Sequence, residues 1–411
     1  MDFSLTPNQV RLRKVARSFA RDEVRPQARL LASESDPSKR TPTDLVRRAS
    51  QLGLRLLSLP VSVGGAGADT LTQVIVLEEI CAGDVGFGLA LMHCWREGAV
   101  LDRLANDEQR KRFLAPLIAD DSFLTAMAVT EPGVGSDIGL PYVGSMQAGP
   151  SSSAVLDGDE WVINAHKSYI TNASVAKLVL LVARTDLTVP WVDGTSIFAI
   201  PAGTPGMRFG EPEGALGATL RLGGDLFLEE CRIPKENLLG PLNGYHRLRL
   251  GVGNKAKEAT KSLGVGRAAF ESALDRARDR VQGGRPIIEH QLIAGSLADM
   301  ASELEMARSL IWRSAWAVDH DPAAAVALED MAKVMTTEIV MRVATRALQV
   351  WGHAGALTRN PIEKLVRDAA VMMLPPIGNS AARARLGGWL ADNEIEVIDL
   401  KAGLEATGSG V

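Results

Sequence analysis

Aromatic residues, cysteines and an excess of charge are all scarce in this chain of 411 residues. Aromatic residues make up 5% of it, so Leu, Val, Ile, Ala and Met must build the core, which suits helices packed on helices. The net charge is −4, so we do not expect the basic stripe that usually marks a nucleic-acid partner. The three cysteines, Cys81, Cys94 and Cys231, are too scattered to predict a disulfide framework or a metal site.

Long hydrophobic runs are also missing. The first residues lack the charged-then-apolar pattern of a signal peptide, and no run approaches the length that spans a bilayer. We therefore predict a reduced, cytoplasmic protein with no membrane partner. Because 46% of the residues are hydrophobic, a chain of this length can build more than one layered core.

The pattern of apolar residues divides the chain into regions. Helical spacing predicts an N-terminal helical domain over 1–122, with helices from Thr6 onward and over 42–54 (capped by Thr41), 70–82 and 87–105. Short apolar runs between turns predict a middle β-domain over 123–240, with a hairpin at 153–164 and strands at 178–184, 196–200 and 225–229. Helices are expected again over 241–400, at 259–281, 287–317, 323–351, 361–373 and 381–392, followed by a flexible tail over 401–411.

A polar glycine segment, T-E-P-G-V-G-S-D at 130–137, follows the first apolar run of the β-domain; we call it the octet. Pro132 fixes a bend, and the two glycines allow the backbone to approach a bulky group. The hydroxyls of Thr130 and Ser136 can donate to phosphate or ring heteroatoms. A surface loop would have a similar composition, so the octet alone favours that simpler interpretation.

Three further blocks follow the octet. They are K-S-Y-I-T-N at 167–172, Q-V-W-G-H at 349–353 and I-E-K-L-V-R-D-A at 362–369. In this order and at these separations, the four blocks resemble the acyl-CoA dehydrogenase family of flavoproteins, over nearly the whole chain. The resemblance implies an α+β fold with an N-terminal helical domain, a middle β-domain and a C-terminal helical bundle. It also implies an FAD cofactor between the β-domain and that bundle.

The resemblance assigns residues to the flavin. The segment that includes Met127, Val129, Thr130 and Ser136 would contact the ring edge and the pyrophosphate. Tyr169 stands where the family usually carries a tryptophan against the flavin, and Thr171 where a hydroxyl approaches the reactive nitrogen. Ordinary packing within a strand is the alternative role for Tyr169.

The resemblance also implies a homo-oligomer, a tetramer built as a dimer of dimers, in which Arg280, Gln349 and Gly352 contact a neighbour's cofactor. The planar guanidinium of an arginine suits a pyrophosphate, since it can pair with two oxygens at once. The chain departs from the family pattern here. The loop after Arg280 lacks an expected phenylalanine, and His353 replaces a second glycine.

A carboxylate base for the α-proton of an acyl thioester is expected at one of two places in the family. Pro376 occupies the first and Asn254 the second, and neither side chain can accept the proton. Glu258, one helical turn beyond Asn254, is the nearest carboxylate. A solvated position in the charged run 255–258 is the favoured interpretation of Glu258.

Ser136, Arg96 and Arg383 are the residues predicted to contact the substrate. Arg96 lies on the helix that lines the acyl-chain end in the family, where a plain fatty chain would need apolar residues. Two roles for Arg96 stay open: it pairs with a substrate carboxylate, or it pairs with Glu97 at the surface.

Four functions fit these residues. The preferred one is FAD-dependent oxidation of an acyl thioester, on CoA or on a carrier protein, with an atypical or absent base. Electrons would then pass to an electron-transfer flavoprotein, a reductase or oxygen. The alternatives are a flavin-dependent monooxygenase, which needs no α-proton base, a non-catalytic subunit of a hetero-oligomeric dehydrogenase, and an acyl-binding protein without turnover.

Overall fold

The computed structural model describes residues 4–140, 146, 148–248, 254–375 and 377–392. Pro376 and the tail at 401–411 lie outside the described residues, as does the side chain of Asn254.

The N-terminal region is helical. Thr6 begins it with a capping box, since its hydroxyl accepts from Gln9 N at 3.2 Å and Gln9 Oε1 accepts from Thr6 N at 2.9 Å. Wider helical turns at Ala20–Val24 and Arg110–Leu114 join neighbouring helices. The helices are α1 Pro7–Phe19, α2 Arg25–Ala32, α3 Thr43–Gln51, α4 Thr70–Gly83, α5 Val85–Leu104, α6 Asp107–Gln109 and α7 Ala115–Ala119.

Two details of this region differ from the prediction. Helix α2 was not predicted; its Pro26 lies in the first turn, where a proline is tolerated. The prediction of Thr41 as a cap is wrong, since α3 begins at Thr43 and Pro42 occupies the cap position. The two buried helices α4 and α5 are confirmed within three residues at each end.

The middle region is a mixed sheet of eight described strands. Their order is β6-β7-β3-β2-β4-β5-β8, and β1 lies parallel to β4. The predicted hairpin is confirmed, because β2 and β3 pair antiparallel with Asp157 opposite Glu160. The strands are β1 Thr125–Ala128, β2 Ser153–Asp157, β3 Glu160–Ile170, β4 Leu178–Arg184, β5 Thr195–Pro201, β6 Met207–Phe209, β7 Gly224–Pro234 and β8 Leu238–Leu239, with the short helix α8 Trp191–Gly194 before β5.

Long helices form the C-terminal region. They are α9 Asn254–Asp279, α10 Gln291–His320, α11 Pro322–Trp351, α12 Pro361–Val371 and α13 Asn379–Asp392, and a ribbon of β9 Val281–Gln282 with β10 Arg285–Pro286 follows α9. The predicted helices are confirmed, but α9 begins five residues earlier than expected. In the described part of the chain, no helix is both long and apolar enough to cross a membrane.

A buried polar contact connects the three regions. Lys364 of α12 donates to Asp84 at the start of α5, at 2.8 Å, and to Asp368, at 2.6 Å. Asp368 also accepts from the backbone N of Ala218 in the middle region, at 2.7 Å. The C-terminal helices are therefore held against both the N-terminal helices and the sheet.

Candidate functional site

The octet is a tight turn with open space beside its glycines. The backbones of Glu131 and Val134 exchange two hydrogen bonds of 3.0 Å around Pro132 and Gly133. A Cβ atom added to Gly133 or Gly135 would meet no atom within 4 Å. This is the geometry expected where a backbone must leave room for a bulky group.

Glu131 anchors the octet to the sheet. Its carboxylate accepts from Lys167 Nζ at 2.7 Å and from the backbone and hydroxyl groups of Ser151 and Ser152. Burial by itself would raise the pKa of Glu131, but Lys167 and these hydrogen bonds lower it to about 2. Glu131 and Lys167 lie in two different sequence motifs, and nothing in either motif predicts their contact.

The end of β3 lies beside the octet. Ser168 N donates to Thr130 O at 3.0 Å, and the pairing of β3 with β7 is irregular between Lys167 and Ile170. This irregularity places Tyr169 at a φ of 62° with 60% of its surface exposed. Packing within the strand is therefore the wrong interpretation of Tyr169, whose ring is free to contact a ligand.

Thr171 lies next to Tyr169 but is 9% exposed, and the following Asn172 is fully buried. Asn172 Nδ2 donates to Thr125 O of β1 at 2.9 Å and to Ala90 O of α5 at 3.2 Å. This fixes Thr171 close to β1. Met127, Val129, Thr130 and Ser136 along β1 and the octet are half-buried, so each retains an accessible part.

A turn of the C-terminal region closes on the octet. Gly378 N donates to Ser136 Oγ at 2.9 Å. Lys333 of α11, which is 1% exposed, donates to Met373 O at 2.7 Å and to Asn379 Oδ1 at 2.6 Å. Lys333 therefore hydrogen-bonds both Met373 and Asn379, the first residue of α13.

The remaining predicted cofactor ligands lie at the surface. Arg280, Gln349 and Gly352 are exposed, at the C-terminal ends of α9 and α11. The end of α11 packs against the last turns of α9, because the Arg276 guanidinium lies 5.1 Å from the centroid of the Trp351 ring. We call the exposed residues at these two helix ends, Arg280, Gln349 and Gly352, the exposed edge.

Glu258 is buried, not solvated. It is 6% exposed and forms an ion pair with Lys261, which is fully buried. Its negative charge also attracts Arg96, Lys257 and Lys333, and so favours their charged forms. The prediction of a solvated charged run is wrong because α9 is packed between α4, α5 and α11, so that this part of it faces the interior.

Arg96 does pair with Glu97, but in the interior instead of at the surface. Arg96 Nη2 lies 2.7 Å from Glu97 Oε1 and 3.0 Å from His93 Nδ1, and Glu97 is fully buried. Attraction to Glu97 raises the pKa of Arg96 despite burial, whereas burial lowers the pKa of His93. Arg383 lies elsewhere, on the exposed face of α13, where it pairs with Glu338 at 2.8 Å.

Comparison with known proteins identifies the class. Models of the acyl-CoA dehydrogenase N-terminal, middle and C-terminal domains match residues 6–121, 126–231 and 255–385. A probable acyl-CoA dehydrogenase of Bacillus subtilis, YngJ, is 32% identical over 376 residues, covering 90% of this chain and 95% of that protein.

Solved structures agree with this. Butyryl-CoA dehydrogenase from Megasphaera elsdenii superposes with a TM-score of 0.85 and 26% identity, covering 95% of this chain and all of the other. A glutaryl-coenzyme A dehydrogenase in complex with glutaryl-CoA superposes with a TM-score of 0.86 and 28% identity, covering 94% and 96%.

The chain belongs to the acyl-CoA dehydrogenase family. It is a flavoenzyme with the fold of that family and with FAD as its cofactor. The open space at Gly133, the accessible ring of Tyr169 and the half-buried hydroxyls of Thr130 and Ser136 fit a flavin at this place.

Proposed function

We propose that the chain oxidises an acyl thioester between its α- and β-carbons and that Glu258 accepts the α-proton. The observation that carries this proposal is the position of Glu258. Glu258 is buried on α9, and its negative charge attracts Lys333. Lys333 hydrogen-bonds Met373 and Asn379, and Gly378 donates to Ser136 of the octet. Glu258 would supply the carboxylate base that is missing at the two positions occupied by Pro376 and Asn254.

The residues around the flavin have separate tasks in this proposal. The octet and Thr171 hold the polar edge of the ring, Tyr169 covers one face, and Arg280 and Gln349 reach the cofactor of a neighbouring subunit. FAD, when bound, supplies the acceptor for the hydride that leaves the β-carbon. Lys261, ion-paired with Glu258, keeps this carboxylate in place and compensates its burial.

The related structures support a thioester substrate. Butyryl-CoA dehydrogenase and the glutaryl-CoA complex are named for CoA thioesters, and each covers at least 94% of this chain. We propose thioesters as the substrate class of this chain too, and we include thioesters attached to a carrier protein.

Anaerobic mixing of the purified protein with CoA thioesters tests the function. A substrate should bleach the flavin absorbance, and Glu258→Gln should slow the bleaching by about 10²- to 10⁴-fold, the usual contribution of a general base. Asp275→Asn is the matched control, since Asp275 is an exposed carboxylate on the same helix and should leave the rate unchanged. Bleaching by Glu258→Gln at the parent's rate would exclude Glu258 as the base. Failure of every thioester to bleach the parent would contradict the proposed function and favour the monooxygenase alternative.

A further inference from the structure

A cavity of about 180 Å³ lies between the N-terminal helices and α9, and none of its lining residues belongs to the candidate flavin site. We call it the arginine cavity, after the charged residues that line it: Arg17, Arg21, Arg25, Arg267, Glu79 and Glu271. A cavity of about 150 Å³ holds a molecule the size of benzene, whereas pockets for drug-sized ligands are about 300 to 1,000 Å³. The arginine cavity therefore suits a small ligand or one group of a larger ligand.

The wide helical turn Ala20–Val24 forms one wall of the cavity. Ala20 packs closely on the end of α4, since a Cβ atom at Gly83 would lie only 2.8 Å from Ala20 O. The wide turn carries Arg21, and the helices that it joins carry the other two arginines of this wall. Wide turns of this kind occur frequently at functional sites.

Five arginines repeat at every fourth position along α1, the wide turn and α2. They are Arg13, Arg17, Arg21, Arg25 and Arg29. Positions four apart are neighbours on a helix surface, so this row places like charges side by side, which destabilises a helix. The middle three arginines line the cavity, where an anion would offset their repulsion.

The first carboxylate of the cavity, Glu79, is shared by three guanidiniums. It lies 2.9 Å from Arg13, 2.8 Å from Arg17 and 2.7 Å from Arg267. Its two oxygens are thus already engaged by the protein.

The second carboxylate, Glu271, is held less closely. It lies 3.6 Å from Arg25 and 3.9 Å from Arg267, and both distances are too long for a hydrogen bond. A bound anion could replace this loose contact at Arg25 with a direct hydrogen bond.

The carboxylates outside the lining also face these arginines. Glu78 pairs with Arg267 and Arg308, and Arg308 pairs in addition with Glu305. Asp22 pairs with Arg21. In the described part of the chain, the ion pairs of the lining and of the groups bound to it thus contain six cations and five carboxylates: Arg13, Arg17, Arg21, Arg25, Arg267 and Arg308, with Asp22, Glu78, Glu79, Glu271 and Glu305. One positive charge remains after every carboxylate is counted.

Three guanidiniums of the cavity also keep unused donors. Arg17 and Arg21 each donate through Nε and Nη2 to one carboxylate, and Arg25 donates through Nη2 to Ala82 O at 3.1 Å. The Nη1 group of each therefore has no acceptor among the described residues. The three side chains are 45 to 65% exposed, so a ligand can reach them from solvent.

We propose that the arginine cavity binds a phosphate group, held by Arg17, Arg21 and Arg25. A phosphate group fits better than a carboxylate because it carries a charge of about −1.5 to −2 at neutral pH and offers three acceptor oxygens. The planar guanidinium can pair with two of these oxygens at once. This site is separate from the proposed thioester oxidation, so neither proposal depends on the other.

Calorimetry with the intact FAD-loaded protein at constant ionic strength tests the proposal. The probes are inorganic phosphate, pyrophosphate, ADP and succinate. The parent should bind at least one phosphate-bearing probe, and it should bind succinate at least about tenfold more weakly than the best of them. Tightest binding of phosphate or pyrophosphate supports a free anion as the ligand, and tightest binding of ADP supports a nucleotide.

Variants of the lining locate the binding. Arg21→Met and Arg25→Met should each weaken the best probe by at least about tenfold, because each removes one positive charge and one set of donors. Glu271→Gln should have the opposite effect and tighten binding, because it removes a negative charge from the lining. Arg11→Met is the matched control, since Arg11 is an exposed cation of α1 outside the lining, and it should keep the parent's affinity.

Three outcomes would overturn the proposal. The first is that the parent binds none of the phosphate-bearing probes, and the second is that it binds succinate as tightly as the best of them. The third is that Arg21→Met and Arg25→Met both keep the parent's affinity, which would place the bound phosphate group elsewhere, for instance at the site for the thioester. FAD content and Tm identify a variant that fails to fold, and the opposite effect of Glu271→Gln then decides where the group binds.

Discussion

Glu131 of the octet and Lys167 of β3 form an ion pair in the interior, with 2.7 Å between Lys167 Nζ and Glu131 Oε1 and side chains that are 3% and 0% exposed. Lys167 Nζ also donates to Val129 O at 3.1 Å, so the lysine holds the strand before the octet as well as the octet itself. The pair thus anchors a glycine-rich segment, which would be mobile by composition, to the sheet.

Removal of one member of this pair should be costly. Glu131→Gln leaves the Lys167 ammonium buried without its carboxylate, which typically costs about 3 to 5 kcal/mol of unfolding free energy. FAD retention should fall with it, since the octet loses its anchor. Urea denaturation and the ratio of flavin to protein absorbance measure the two effects. Glu160→Gln, at an exposed position of β3, is the control, and an equally small effect of both substitutions would contradict the anchoring role.

The same pair predicts a pH dependence. The pKa of Glu131 in the folded chain is about 2, below its ordinary value of 4.5. A carboxylate whose pKa is lower in the folded chain stabilises the folded state fully at pH values above its ordinary pKa. This contribution is lost as the pH falls through the folded pKa. The difference in unfolding free energy between parent and Glu131→Gln should therefore shrink as the pH falls from about 4.5 to about 2. A difference that does not change over that acidic range would show that Glu131 titrates normally.

The open space at the octet leads to a prediction about FAD binding. A Cβ atom at Gly133 meets no atom within 4 Å, so folding of Gly133→Val should be little affected, but the added side chain would occupy space that we assign to the flavin. FAD content should fall while the Tm of the cofactor-free protein stays unchanged. Gly214→Val is the control, because Gly214 also has no atom within 4 Å of its Cβ position. Full FAD content in Gly133→Val would place the flavin elsewhere.

The exposed edge formed by Arg280, Gln349 and Gly352 predicts a shared cofactor site. We expect a homotetramer built as a dimer of dimers, in which Arg280→Met weakens FAD retention without separating the subunits. Light scattering gives the mass, and dialysis followed by absorbance gives the retained FAD. A monomer that holds FAD fully would refute the shared site.

The sequence predicted structure that depends on neighbours along the chain. The hairpin of β2 and β3 and the helices that precede and follow the sheet in the chain come from local patterns of turn, β-branched and periodic apolar residues. The hairpin was expected to end at 164, whereas β3 continues to Ile170. The irregular pairing at Tyr169 did not follow from them, because it depends on how β3 meets β7.

The environment of Glu258 shows why the rest could not be predicted. The run of lysine and glutamate at 255–258 has the composition of a solvated helix face, and a solvated position was therefore predicted for Glu258. Its interior position follows from partners that are distant in sequence: Gln73, 184 residues before Lys257, and Lys333 on α11. Such partners become visible only when α4, α5, α9 and α11 are packed together.

Exchange of the α-proton is the most direct measurement of the central claim, that Glu258 accepts it. Anaerobic incubation of the FAD-loaded protein with hexanoyl-CoA and adipyl-CoA in D₂O, followed by mass spectrometry of the recovered thioesters, reports deuterium at the α-carbon. The account predicts deuterium uptake with the parent and with Asp275→Asn, and uptake slowed by about 10²-fold or more with Glu258→Gln at unchanged FAD content. Uptake by Glu258→Gln at the parent's rate would contradict the account and place the base on another residue.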